Sequence, residues 1–242
     1  MSEDHIVSSF DEDMSQLETL FLDMGTLVQD QLKAATKALR KEDRTLAKKV
    51  VKGDKELNKL EAELNDLAVK ILALRQPFAS DLRAVVMTLK SAGHLERMGD
   101  LTRNMAQRTN TIVKTEADTA PIDTLIRMSE LVQTMIASVM KAYTSRDAEL
   151  AITVRDQDEL VDKSHNSLFR ETLTYMMEDV RNITSCMHLM FIAKNIERMG
   201  DNVADIAKEI VYMTTGDWPE NKRVKSDRTS KIIIEPSDLE DK

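Results

Sequence analysis

Two five-residue runs in this chain are identical: Glu96-Arg97-Met98-Gly99-Asp100 and, 101 residues later, Glu197-Arg198-Met199-Gly200-Asp201. On a helix, residues four apart share a face, so Glu96, Asp100 and Asn104 form one oxygen-bearing stripe and Glu197, Asp201 and Asp205 another. Apolar residues lead into both stripes: Leu82, Val85, Val86 and Leu89 precede Glu96, and Ile183, Cys186, Met187 and Met190 precede Glu197. The acids therefore stand where the apolar face would otherwise continue. Carboxylates partly buried together are costly unless cations or hydrogen-bond donors neutralise them. Oxygen ligands at one-turn spacing suit a hard or borderline metal ion such as Mg, Mn or Fe. Arg97 and Arg198 offer the other solution, salt bridges that hold helices together. Both solutions stay open at this level. Gly99 and Gly200 point to close helix approach, since glycine inside a helix costs about 1 kcal/mol and needs a reason.

The elements that must position these residues are helices. The 242-residue chain has only six Gly and four Pro, 4% aromatic residues and 15 Met, a composition with little turn chemistry and little β-propensity. Apolar periodicity and breakers predict six long helices, roughly Asp11–Leu39, Asp43–Arg75, Phe78–Val113, Ile122–Tyr143, Asp147–Met176 and Asp179–Thr215. Asp43 and Asp147 suit N-caps, and Pro77 breaks the chain after Arg75-Gln76. In the second helix Leu57, Leu60, Leu64, Leu67, Ile71 and Leu74 alternate three- and four-residue steps, the seam of helices packed at a shallow angle.

The repeat extends beyond the motif. Asp54, Asn58 and Glu61 correspond, at a shift of 104, to Asp158, Asp162 and His165, beside the apolar pair Leu57 and Val161. A tandem duplication with three helices per copy follows. The expected fold class is all-α, two tandem three-helix bundles: residues 1–115, residues 120–215, and a flexible tail over 216–242. With 42% hydrophobic residues the chain can bury a real core. One cysteine, Cys186, excludes an internal disulfide, and the lack of a signal-peptide pattern leaves the cytoplasm as the expected location. The longest apolar stretch, Cys186 to Ala193, is far short of the roughly 20 residues of a membrane span. A formal net charge of -8 argues against nucleic acid as the main partner.

The run Arg75-Gln76-Pro77-Phe78-Ala79-Ser80-Asp81-Leu82-Arg83 followed by Leu95-Glu96-Arg97-Met98-Gly99-Asp100, and Thr174-Tyr175-Met176-Met177-Glu178-Asp179-Val180-Arg181 followed by Ile196-Glu197-Arg198-Met199-Gly200-Asp201, resemble the PhoU family. The resemblance runs from the first helix to Thr215. It implies tandem three-helix bundles, metal bound through E(D)-x-x-x-D motifs, and a homodimer. It also implies a negative regulator that restrains the phosphate ABC transporter, through its ATPase subunit, and the sensor histidine kinase of the phosphate-starvation regulon, meeting the membrane only through those proteins. On this sequence the implied metal residues are Asp81, Glu96, Asp100, Asn104, Asp158, Asp162, Asp179, Glu197, Asp201 and Asp205. Asp81 lies 15 residues before Glu96 while Asp179 lies 18 before Glu197, so their match needs a gap that the apolar stripes do not. Asn104 also stands where the second copy has Asp205, an uncharged ligand for a charged one.

Two other functions compete. A carboxylate-bridged di-iron enzyme uses Glu-x-x-His pairs facing a bundle core; this sequence has none, and Asp162-x-x-His165 is the nearest pattern. Cys186 sits on an apolar face as a small core residue rather than a nucleophile, and no Gly-rich phosphate loop occurs. His94 and His188, near the motifs, read more simply as surface or core imidazoles than as ligands. A metal-free helical adaptor is the third possibility, its Met-rich faces docking partner helices, although most methionines read as core filler. The expected function is therefore regulatory rather than enzymatic.

Overall fold

A computed structural model describes residues 3–113, 121–219 and 225–229. Its elements are α1 (Glu3–Arg40), α2 (Arg44–Arg75), α3 (Ser80–Ile112), α4 (Ile122–Ser145), α5 (Ala148–Glu178), a one-turn 3₁₀ helix (Val180–Asn182) and α6 (Ile183–Thr215). All six predicted helices are present. Asp43 starts α2 by accepting hydrogen bonds from the Thr45 and Leu46 amides, both at 2.9 Å, and Asp147 starts α5 by accepting from the Leu150 amide at 2.9 Å. The first helix begins eight residues earlier than expected, because neither glycine nor proline interrupts the stretch before Asp11. The third begins two residues later: beyond Pro77, the positive φ angles of Gln76 (47°) and Ala79 (46°) hold the chain out of the helix until Ser80.

Helices α1, α2 and α3 pack on one another as one three-helix bundle, and α4, α5 and α6 as a second. The two join through α3 against α6 and α1 against α4, and the hydrophobic core runs through both without a break. Between α1 and α4 the Thr36 and Ser129 hydroxyls share a buried hydrogen bond of 2.5 Å. Helices α3 and α6 run antiparallel: Ser91 donates to Glu209 at 2.6 Å, Thr102 lies 3.8 Å from the Met199 sulfur, and Arg108 stacks over Phe191. The two copies of the repeated motif therefore meet near the middle of one shared seam.

Most of the leucine seam is buried, as Leu57, Leu64, Leu67 and Ile71 show, but Leu74 at its end is 68% exposed. The apolar stripes leading to the motifs are split in the same way. Val85 and Cys186 are buried, whereas Leu82, Val86, Ile183 and Met187 face outward with Phe78 and Val180. Because α3 and α6 are antiparallel, these apolar patches lie at opposite ends of the molecule. Among the described residues no helix is long and apolar enough to cross a membrane.

The expected boundary between residues 115 and 120 lies outside the described residues. Of the expected tail, residues 225–229 lie against α5 and α6. Its largest remaining parts, 220–224 and 230–242, are outside the described residues.

Candidate acidic sites in the two repeats

In the first repeat the glycine of the motif explains how the acids come together. A Cβ on Gly99 would lie 2.2 Å from Leu57 Cδ2 and 3.7 Å from Asp54 Oδ1. Only glycine lets α3 approach α2 this closely, and the approach sets Asp54 beside the motif acids. Asp54 is 5% exposed. Its Oδ2 pairs with Arg103, whose guanidinium also lies 2.7 Å from Asp100. Its Oδ1 is buried and accepts no hydrogen bond from the described residues. Glu96 completes the group. Burial, followed by the charges of Asp100, Glu61 and Asp54, holds its carboxyl above the usual carboxylate range, and Arg103 only partly opposes them.

The second repeat repeats the approach with different contacts. A Cβ on Gly200 would lie 2.4 Å from Asp158 Oδ1 and 3.5 Å from Val161. Asp158, Asp162, His165 and Glu197 are all at least nine-tenths buried. Lys194 Nζ lies 2.8 Å from Glu197, and Lys225, from beyond the bundle, lies 3.0 Å from Asp201. Burial again raises Glu197, aided by Asp201 and Asp227 and opposed by Lys194. Burial lowers the His165 imidazole. The predicted correspondence of Asp54 and Leu57 with Asp158 and Val161 thus holds in space as well as in sequence.

Of the ten expected metal residues, Glu96 and Asp100 lie near Asp54 and Glu61, and in the second repeat Glu197 lies near Asp201 and Asp158 packs against Gly200, while Asp162 accepts from the Ser226 amide. Asp205 turns away, and Asn104 lies at the edge of the first group, beside Asp100. Each four-residue step overshoots a full turn by about 40°, so two steps carry the side chain about 80° round the helix. Asn104 lines a groove of about 440 Å³ on the α3–α6 seam with Arg97, Asp100, Arg198 and Asn202. Asp205 lies 2.7 Å from Lys208 and borders a neighbouring cleft of about 320 Å³ with His94 and Glu209. Asp81 is exposed at the start of α3, about 22 Å along the helix from Glu96. Asp179 precedes α6, bound by Arg181 at 2.6 Å, beyond the roughly 21 Å of helix from Ile183 to Glu197. Neither joins the cluster of its own repeat.

The basic partners also differ from those expected. Arg97 and Arg198 are exposed beside the groove, and Arg103, Lys194 and Lys225 meet the motif acids instead. Arg103 is seven residues after Glu96, almost exactly two turns, so it lies on the Glu96 face more squarely than Asn104 does. That spacing was available in the sequence. The involvement of Lys225 and Asp227 carried no periodic signal at all. His94 is held by Asn202 at 2.9 Å and lies 3.3 Å from Glu209, contacts that raise its pKa against the opposing effect of burial. His188 lies 3.4 Å from Arg108, and burial with that charge lowers it. Cys186 is buried, which pushes its thiol up.

Among the described residues no three His, Cys, Asp or Glu side chains are gathered tightly enough to hold a metal ion. The donor chemistry nonetheless suits a hard cation. The first site offers a buried Asp54 oxygen without a hydrogen bond and a Glu96 whose charge its carboxylate neighbours oppose. Arg103 now stands between Asp54 and Asp100 and supplies the positive charge that a cation would bring.

Known proteins match this architecture over nearly its whole length. The PhoU domain model matches residues 21–109 and again 125–210, one match per repeat. The phosphate-specific transport system accessory protein PhoU homolog of Rhizobium meliloti is 41% identical over 232 residues, covering 96% of this chain and 98% of the relative. The Escherichia coli phosphate-specific transport system accessory protein PhoU is 32% identical, covering 95% and 94%. The crystal structure of PhoU from Pseudomonas aeruginosa superposes with a TM-score of 0.83 at 33% identity, covering 86% of this chain and all of that one.

Proposed function

The chain belongs to the PhoU family, and on that premise we propose that it is an accessory regulator of phosphate transport that restrains uptake and the phosphate-starvation regulon. The observation that carries this proposal is the end-to-end similarity to phosphate-specific transport system accessory proteins, with both repeats included. In this reading the protein works by contact, between the ATPase subunit of a phosphate ABC transporter and a sensor histidine kinase, and is regulatory rather than catalytic. The exposed apolar residues at the two ends, Leu74, Phe78 and Leu82 at one and Val180, Ile183 and Met187 at the other, are the surfaces best suited to partners or to a second copy in a homodimer.

Metal binding is part of the proposal. Asp54, Glu61, Glu96 and Asp100 would hold an Mg, Mn or Fe ion in the first repeat, once Arg103 yields its place. Asp158, Asp162, Glu197 and Asp201 would do so in the second. A metal-free adaptor is the second reading, favoured by the basic side chains that already neutralise both clusters.

The test uses cells lacking their own copy of the regulator, grown in rich phosphate. The wild-type chain is expected to restore repression of phosphate-starvation genes and to retain the transporter ATPase in pull-downs. Glu96→Lys/Glu197→Lys, with helix content unchanged by circular dichroism, is expected to lose repression. Repression that survives in a folded double variant places the function elsewhere. Thermal melting of the purified wild type with Mn²⁺ and then with chelator separates the two readings: an unchanged midpoint selects the metal-free adaptor.

A further inference from the structure

The side chains of α5 and α6 around Asn166 hold a piece of the chain that belongs to neither bundle. The Asn166 carboxamide donates to the Ser226 carbonyl at 2.6 Å and accepts from the Arg228 amide at 2.8 Å, so one side chain brackets the backbone on both sides of Asp227. The Ser226 amide donates to buried Asp162 at 2.7 Å, and the Ser226 hydroxyl donates to Glu159 at 3.2 Å. Charges select what flanks the bracket. Lys225 meets Asp201 at 3.0 Å, and Asp227 meets Lys194 at 3.0 Å with His165 at 3.6 Å. Asp227 also accepts from the Thr229 amide and hydroxyl at 3.0 and 2.8 Å, which closes the segment into a tight turn. Beyond Thr229 lies an open apolar pocket of about 220 Å³, lined by Leu168, Phe169, Met187, Met190 and Phe191.

These contacts read a peptide rather than fill a core. Two are to backbone amides and one to a backbone carbonyl, the groups that any polypeptide presents. The flanking charges and the apolar pocket then discriminate among sequences. We propose that this face of α5 and α6 is a peptide-binding site for segments of the type Lys-x-Asp-x-Thr followed by an apolar side chain, and that residues 225–229 occupy it in cis. The cis occupant is tethered ten residues beyond the end of α6, so it competes with free peptide as an intramolecular ligand, at an effective concentration on the order of millimolar. A segment in trans gains the site only when the chain's own is weakened or outcompeted. The first repeat has no matching bracket, because at the shift of 104 Ala62 stands where the second has Asn166, and Asn58 where it has Asp162. The site therefore belongs to one repeat alone. It does not require the regulatory role proposed above, and because Asp162 and Asp201 serve both the segment and the second-repeat metal site, its tests are run without added metal.

Two measurements on the full chain test it. Amide hydrogen exchange by NMR is expected to show Ser226 and Arg228 protected at least about 10-fold over unstructured rates, with the protection lost in Asn166→Ala. Unstructured rates in the wild type overturn the cis contact. A fluorescein-labelled synthetic peptide with the sequence of residues 223–234 is then titrated in trans. It is expected to bind Lys225→Glu/Asp227→Lys, whose own segment is repelled by Asp201 and Lys194, at least about 10-fold more tightly than the wild type. Adding Asn166→Ala, or Asn166→Asp where alanine disturbs folding, is expected to abolish that gain. Equal binding to both chains, binding that ignores Asn166, or protected amides without any trans binding each overturn the peptide site.

Discussion

The two repeats present the same acids on the same motif but neutralise them by different routes. In the first, Arg103 reaches from α3 to Asp54 on α2 and to Asp100 on its own helix, so the counter-charge lies inside the repeat. In the second, the residue matching Arg103 is Ala204, and the matching position to Lys194 is Gly93. There Lys194 serves Glu197, and Lys225, from outside the bundle, serves Asp201. The glycine-enforced helix approach and the carboxylates are shared, whereas the positive charge is supplied differently in each copy. The shared feature is thus a negative cleft between two close helices, and the means of balancing it is what differs.

The most damaging way to break the comparison is to open the shared approach. Gly99→Val and Gly200→Val should each destabilise the fold by about 2–3 kcal/mol, because the new Cβ would sit 2.2 Å from Leu57 Cδ2 or 2.4 Å from Asp158 Oδ1, both on buried residues. Gly93→Ala is the control. Nothing lies within 4 Å of a Cβ there, so the ordinary helical gain of about 0.5–1 kcal/mol should appear. Chemical denaturation midpoints check all three. Equal effects at the three positions would show that the motif glycines do not set the helix spacing.

The next cut separates the two counter-charges. Arg103→Met should cost about 2 kcal/mol at neutral pH, since it leaves the largely buried Asp54 carboxylate without its ion pair. Adding Asp54→Asn should recover most of that loss. Lys225→Ala, which removes a 61% exposed side chain from Asp201, should change stability by less than about 0.5 kcal/mol. A loss at Lys225 as large as that at Arg103 would mean that both repeats rely on their cations alike.

Sequence carried the helices, the duplication and the pairing of Asp54 with Asp158, because each rests on local periodicity or on a repeat that survives intact. A four-residue stripe drifts round the helix, so Asp205 leaves the face of Glu197 and Asn104 keeps only Asp100 as a neighbour, while Arg103, at seven residues, stays on the face of Glu96. Asp81 and Asp179 matched by motif but stand several turns away along their helices. The outward turn of Leu82 and Ile183 was illegible for another reason: periodicity says which residues share a face, not whether a neighbour covers it. The bracket at Asn166 joins residues 60 and 62 apart in sequence through backbone groups, and such contacts leave no pattern in side-chain types.

The mildest perturbation addresses whether the first cleft is poised for a positive charge. Burial and the neighbouring carboxylates Asp100, Glu61 and Asp54 raise the Glu96 pKa in the folded protein above its ordinary value of 4.5. A raised acid binds more protons folded than unfolded, so its ionisation opposes folding: stability is full below about 4.5 and falls as pH rises through the folded value. Glu96→Gln removes that penalty. It should stabilise the fold at pH 7 by about 0.5 kcal/mol, the scale of a like-charge pair one turn apart, and the gain should vanish as pH falls below 4.5. Melting temperatures of wild type and variant at pH 7 and pH 4 measure both limits. If a cation is the natural partner of the cleft, saturating Mg²⁺ should close the gap at pH 7 from the wild-type side, since the ion stabilises only the chain that keeps the charge. A gap that stays open in Mg²⁺ would mean that Arg103 alone balances the first repeat.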